Sequence, residues 1–141
     1  MAYDISDICN YIIYYENKNN RSINNLRLQK VLYFIQAQFL VSKNEPCFYN
    51  EIEAWDFGPV VLDAYDKYKI YGGSIIPKHR NCYWDIEEED CKLINNILNQ
   101  CSQYSNTDLV YITHQQEPWI DAFNNKSSRV IDLYKLKEFF K

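Results

Sequence analysis

Glycine is scarce in this 141-residue chain, which contains only Gly58, Gly72 and Gly73. A phosphate-binding loop of the glycine-rich kind needs several glycines at fixed spacing, so the sequence excludes such a loop in its usual forms. Histidine is scarcer still, and neither His79 nor His114 lies in a Gly-x-Ser-x-Gly elbow or a comparable catalytic signature. We therefore expect a protein without catalytic activity.

Paired cysteines are also missing, because the chain has five cysteines but no Cys-x-x-Cys motif. An odd number without paired spacing argues against a disulfide framework. A zinc site made from His79, Cys82, Cys91 and Cys101 would lack the usual ligand spacing, so buried free thiols are the better interpretation. We expect no metal and no cofactor.

The chain has fewer basic than acidic residues, and it lacks a long apolar run. The chain has 15 lysines and arginines against 19 aspartates and glutamates, and its net charge is −4. Without a strongly basic patch, direct binding to nucleic acid is not expected. The longest apolar run is far shorter than the ~20 residues that span a membrane, and the amino-terminal segment lacks the basic region of a signal peptide. We expect a cytoplasmic protein without membrane contact.

A long amphipathic segment, Asn24–Val41, is what the sequence does contain. Its apolar residues recur every three or four positions, which predicts a helix with Asn24 as its amino-terminal cap. Shorter segments with the same periodicity predict further helices: Asp4–Tyr15, Val60–Ile70 after a Gly58-Pro59 start, the segment after Asp85, Ser105–His114 with a capping box, and the segments after Glu117 and Asp132.

Apolar and polar residues alternate from Glu51 to Trp55, which predicts a short strand. The segment Val130-Ile131 is also predicted to be extended. Together these patterns predict a mainly α fold. We expect a compact single domain over residues 1–141, with about six to seven helices around the long central one and a small β element near residues 51–55.

Three sequence blocks stand out: Ile23–Phe39, Glu51–Tyr71 and Thr107–Phe123. They contain, in order, the motifs L-x-L-Q-K-x-L-Y-F, E-x-E-A-W-x-x-G-P-V and T-H-x-x-x-P-W. This ordered set resembles the Panacea domain family, which includes SocA-like antitoxins and phage-associated GepA-like proteins. With the first helix and the closing V-I-D-L segment, the resemblance extends over essentially the whole chain.

The resemblance implies an antitoxin of a toxin–antitoxin pair, a kind of protein often encoded on prophages or other mobile elements. Its partner would be a cognate toxin, neutralised by direct protein–protein binding. Two alternatives remain: an adaptor that delivers a toxin to an ATP-dependent protease, and a phage-associated protein with another binding function. Many family members carry an additional, sometimes DNA-binding, domain, for which this chain has no room, so operator binding is not expected.

Six polar or aromatic residues of the motifs are the candidate site: Gln29, Lys30, Glu53, Trp55, His114 and Trp119. Because buried polar groups are normally paired, we expect the four polar ones to form a buried network that links the central helix, the strand and a late helix. The alternative is that they line a groove that contacts the partner. For His114 we expect a cap on the carbonyls at its own helix end; a partner contact and catalysis together with Glu53 are the alternatives.

Overall fold

The computed structural model describes residues 2–78 and 82–141, which form seven α-helices and one two-stranded antiparallel sheet. The prediction of a mainly α fold with a small β element is therefore confirmed. In chain order the elements are α1 (Ile5–Lys18), α2 (Asn25–Lys43), β1 (Ile52–Trp55), β2 (Gly58–Val61), α3 (Leu62–Tyr68), a 3-10 turn (Lys69–Tyr71), α4 (Glu88–Cys101), α5 (Asn106–His114), α6 (Glu117–Phe123) and α7 (Leu133–Phe140). No helix in the described ranges combines the length and the apolarity of a membrane span.

Helix α2 is the longest element, with 19 residues. As predicted, the Asn24 side chain caps it by accepting a hydrogen bond from the Arg27 backbone N–H. The helix contacts α3, α4, α5, α7 and β2, so it is covered on more than the one apolar stripe that its sequence displays. Consequently polar side chains on α2 are buried along with apolar ones, including Gln29, Lys30 and Gln36.

The predicted helix start at Gly58-Pro59 is wrong, because both residues belong to strand β2 and helix α3 begins only at Leu62. Gly58 has a φ of +102°, a conformation that favours glycine, and it pairs with Trp55 across the two-residue turn. Pro59 lies opposite Ala54, whose own N–H points away from β2 and donates to the Arg129 carbonyl. The missing N–H of proline therefore breaks no ladder bond here.

Strand β1 has partners on both sides. Its second neighbour is the extended segment around Val130, which forms a bridge with Glu53. The Ile131 N–H donates to the Ile52 carbonyl at 2.7 Å. Along β1 the burial alternates, with Ile52 and Ala54 in the core, as the sequence pattern predicts.

Gln36 fixes the loop that precedes β1. Its side chain is fully buried, and its Nε2 donates to the Phe48 carbonyl at 2.9 Å. Its Oε1 accepts the Cys47 N–H at 2.7 Å. The same oxygen accepts the Phe48 N–H at 3.3 Å, so one amide satisfies three buried backbone groups of a segment that has no regular structure.

Replacing Gln36 by leucine is expected to lower the free energy of unfolding by about 2 kcal/mol, because a buried donor and a buried acceptor lose their partner. Urea denaturation followed by circular dichroism measures this change. Gln38→Leu is the matched control, because the Gln38 amide is half-buried and donates to Ser42 on the same helix. It should change stability by less than about 0.5 kcal/mol. If both variants lost the same free energy of unfolding, the role of Gln36 in holding this loop would be contradicted.

Candidate functional site

The six predicted site residues meet at the β1–β2 hairpin, where α2 supplies two of them. The Gln29 side chain accepts the Val61 N–H at 2.9 Å and is itself held by a bond from its Nε2 to Asn25. The Lys30 Nζ donates to the Pro59 carbonyl, also at 2.9 Å. Both side chains are fully buried. Successive residues of α2 thus bind the main chain of β2.

Helices α5 and α6 hold the turn of the same hairpin. The His114 Nε2 lies 2.8 Å from the Asp56 carbonyl, and because a carbonyl only accepts, this nitrogen carries the proton. The Trp119 indole N–H donates to the Trp55 carbonyl at 2.9 Å. The rings of His114 and Trp119 pack together, with centroids 4.2 Å apart.

The polar residues are therefore connected through the hairpin. In the described part of the chain, no hydrogen bond joins any two of the four side chains predicted to form a network: Gln29, Lys30, Glu53 and His114. His114 does not cap its own helix, since its ring reaches a carbonyl in the turn. Glu53 accepts the Trp55 indole N–H at 2.9 Å, so its carboxylate and the His114 ring have separate partners.

Gly58 lies directly over Lys30. A Cβ atom at Gly58 would sit 2.6 Å from the Lys30 Cε and 2.9 Å from the Thr113 Oγ1. Any other residue would have to displace both the lysine and the threonine, in addition to adopting a positive φ. The approach of Lys30 to the hairpin carbonyl thus depends on the absence of a side chain at position 58.

Arg27 is a buried polar residue that the sequence prediction missed. Its guanidinium donates to the carbonyls of Cys101 and Tyr104 and to the side chain of Asn106, so it fastens the α4–α5 connection to α2. The signal was present in the spacing, because Arg27 lies four residues before Val31 and therefore on the apolar stripe. Gln36, four residues after Leu32, carries the same signal.

A cleft of about 200 Å³ lies between the beginning of α2, the hairpin and α3. We call it the hairpin cleft; its walls include Trp55, Val60 and Tyr65, and Lys30 lies at its floor. Among the described residues, no group of three or more His, Cys, Asp or Glu is placed to hold a metal ion. His79, considered above as a zinc ligand, lies outside the described residues.

Burial lowers the pKa of Lys30 from 10.5 to about 7, because the charged ammonium loses its hydration. The one hydrogen-bond partner that the described residues give its Nζ is a neutral carbonyl, which does not offset the loss. The unfolded chain therefore binds more protons than the folded chain between pH 7 and 10.5. Over that range the folded state becomes more stable as the pH rises.

Wild type is expected to gain about 2 kcal/mol in stability relative to Lys30→Met between pH 7.5 and 9, from a slope of up to 1.4 kcal/mol per pH unit. Urea denaturation of both proteins across this range measures the difference. The range stops at pH 9 because burial raises the pKa of Cys9 to about 12, so that thiol opposes folding at higher pH. If the stabilities of the two proteins changed with pH in the same way, the lowered pKa of Lys30 would be contradicted.

Comparison with known proteins assigns the chain to a family. The family described as "Antitoxin SocA-like, Panacea domain" matches residues 28–120, which include all six predicted site residues. The chain is similar to the antitoxin SocA of Caulobacter vibrioides (strain NA1000 / CB15N), with 55% identity over 38 residues. That match covers 27% of this chain and 20% of the relative. No solved structure matches. The resemblance in the three sequence blocks is confirmed, and the chain belongs to the SocA-like antitoxin family of the Panacea domain.

Proposed function

We propose that this protein is an antitoxin that neutralises a cognate toxin by binding it directly. The observation that carries the proposal is the family match over residues 28–120, because this range contains the hairpin and the helices that hold it. We further propose that residues 1–141 act as one Panacea-like domain built around α2, and that the protein works in the cytoplasm. Its partner is a protein, and neither nucleic acid nor a cofactor takes part.

Exposed apolar side chains near the hairpin support a binding role. Phe57, in the hairpin turn, is 69% exposed, and Ile70, after α3, is 82% exposed. Aromatic residues are enriched at protein interfaces because they bury a large area with few rotatable bonds. The turn that presents Phe57 is held by His114 and Trp119, so this aromatic side chain projects from a fixed backbone.

The polar atoms of the site support binding more than catalysis. The His114 Nε2, the Lys30 Nζ and the Gln29 amide all have main-chain partners in the hairpin. A general acid or base must be free to exchange a proton with a substrate. Groups that hold a hairpin in place are suited to keeping a surface in shape, which is what recognition of a protein partner requires.

Co-expression with the product of the neighbouring open reading frame tests the proposal. If that product is toxic, growth should be rescued and the two proteins should co-purify. Neutralisation by binding should require at least one antitoxin per toxin in a titration, whereas a catalyst would act at lower ratios. Toxin half-life should not change when this protein is removed, whereas a longer half-life would favour the protease adaptor. If no neighbouring product is toxic or bound, the proposal fails.

A further inference from the structure

The hairpin cleft has an aromatic and apolar wall that the helices leave open. The rings of Trp55 and Tyr65 meet edge to face in this wall, with centroids 4.9 Å apart, and both residues are half-buried. Val60 continues the wall on β2. The volume of about 200 Å³ has room for a single large side chain of another protein. Its shape therefore favours one apolar anchor over an extended segment.

Charge distinguishes the cleft from the rest of the protein. Lys30 at the floor and Lys69 at the rim line it, and among the described residues no carboxylate does. Because burial lowers the pKa of Lys30 to about 7, the lasting positive charge of the cleft is that of Lys69, in a chain whose acidic residues outnumber its basic ones by 19 to 15. A partner that fits the cleft should thus carry negative charge beside its apolar anchor.

Lys69 has capacity for such a group. Lys69 pairs with Asp66 at 3.1 Å, but both side chains are more than half exposed, so the pair is weak and readily exchanged. Lys30 contributes little, because its side chain is fully buried and its Nζ donates to the Pro59 carbonyl. A carboxylate over the cleft would be favoured by the rim charge of Lys69.

We propose that the hairpin cleft is the docking site for the toxin, and that it takes an aromatic or large aliphatic side chain lying next to a carboxylate. This inference rests on the proposed function and adds to it the place of contact and the chemistry of the contacting group. The anchor packs against Trp55 and Tyr65, and the carboxylate lies at the rim beside Lys69. Hot spots of this kind are typically a buried anchor surrounded by polar contacts.

Charge reversal at the rim tests the place of contact, once the toxin is in hand. Lys69→Glu should weaken toxin binding, measured by isothermal titration calorimetry, by about tenfold or more. Lys67→Glu is the matched control, because Lys67 is exposed on the same segment and does not line the cleft; it should change binding less than about twofold. If the two variants bind the toxin equally well, the hairpin cleft is not the docking site, whereas the proposed antitoxin function still stands. Loss of self-association in Lys69→Glu, measured by sedimentation, would assign the cleft to a second copy and also overturn the proposal.

A second measurement needs no toxin. Phenylacetate, phenylacetamide and phenethylamine present the same ring with negative, neutral and positive groups, and NMR titration follows the Trp55 indole N–H. Phenylacetate should bind at least about threefold more tightly than the amide, with the amine weakest, and Lys69→Glu should remove the preference. Absence of binding, or equal binding of acid and amide, overturns the proposed cleft chemistry. Because this assay is independent of toxicity, its result separates failure of the cleft from failure of the antitoxin function.

Discussion

The contact between the Lys30 amine and the Pro59 carbonyl is the one on which the hairpin most depends. Burying an amine is unfavourable unless it is hydrogen-bonded, so the chain must bring an acceptor to it. Gly58 permits this approach, because any Cβ at that position would collide with the lysine stem. Proline at the next position supplies a carbonyl and needs no partner for an N–H. Lys30, Gly58 and Pro59 thus form one physical unit, although the glycine lies 28 positions after the lysine in the sequence.

The other contacts of the hairpin extend this arrangement to three helices. Helix α2 binds β2, α5 binds the turn through His114, and α6 binds the end of β1 through Trp119. A loop fixed by three helices loses little conformational entropy when a partner binds it, because the entropy was already lost in folding. A turn fixed in this way suits the proposed recognition of a partner at the exposed Phe57.

Local sequence patterns predicted the features that depend on residues close together in the chain. The Asn24 cap, the Ser105–Asp108 capping box and the alternation along β1 are all present in the structure. The interpretation of Gly58-Pro59 failed because the same dipeptide suits a helix start and the beginning of a strand after a turn, and its contact with Lys30 comes from a distant part of the sequence. The partner of His114 was likewise beyond local reasoning, since the Asp56 carbonyl lies 58 residues away in sequence.

The candidate site was predicted from a different kind of signal. The six residues were selected by their place in the motifs, and the structure gathers them around one hairpin; the sequence did not reveal that their partners are main-chain atoms. Arg27 and Gln36 were missed because a polar residue on an apolar stripe looks like an interruption until the surrounding loops are in place. Their targets include main-chain groups at the end of α4 and in the loop before β1, which no pattern of side chains predicts.

The way in which Gln29 and Lys30 meet β2 has a consequence for association with other chains. The outward-facing groups of that strand are the Pro59 carbonyl, which accepts from Lys30, and the Val61 N–H, which donates to Gln29. Two adjacent side chains of a helix therefore supply the donor and the acceptor that a third strand would supply. With β1 paired on its far side to the segment around Val130, both edges of the two-stranded sheet have partners. A protein with an exposed aromatic turn is thereby protected against strand addition and edge-to-edge aggregation.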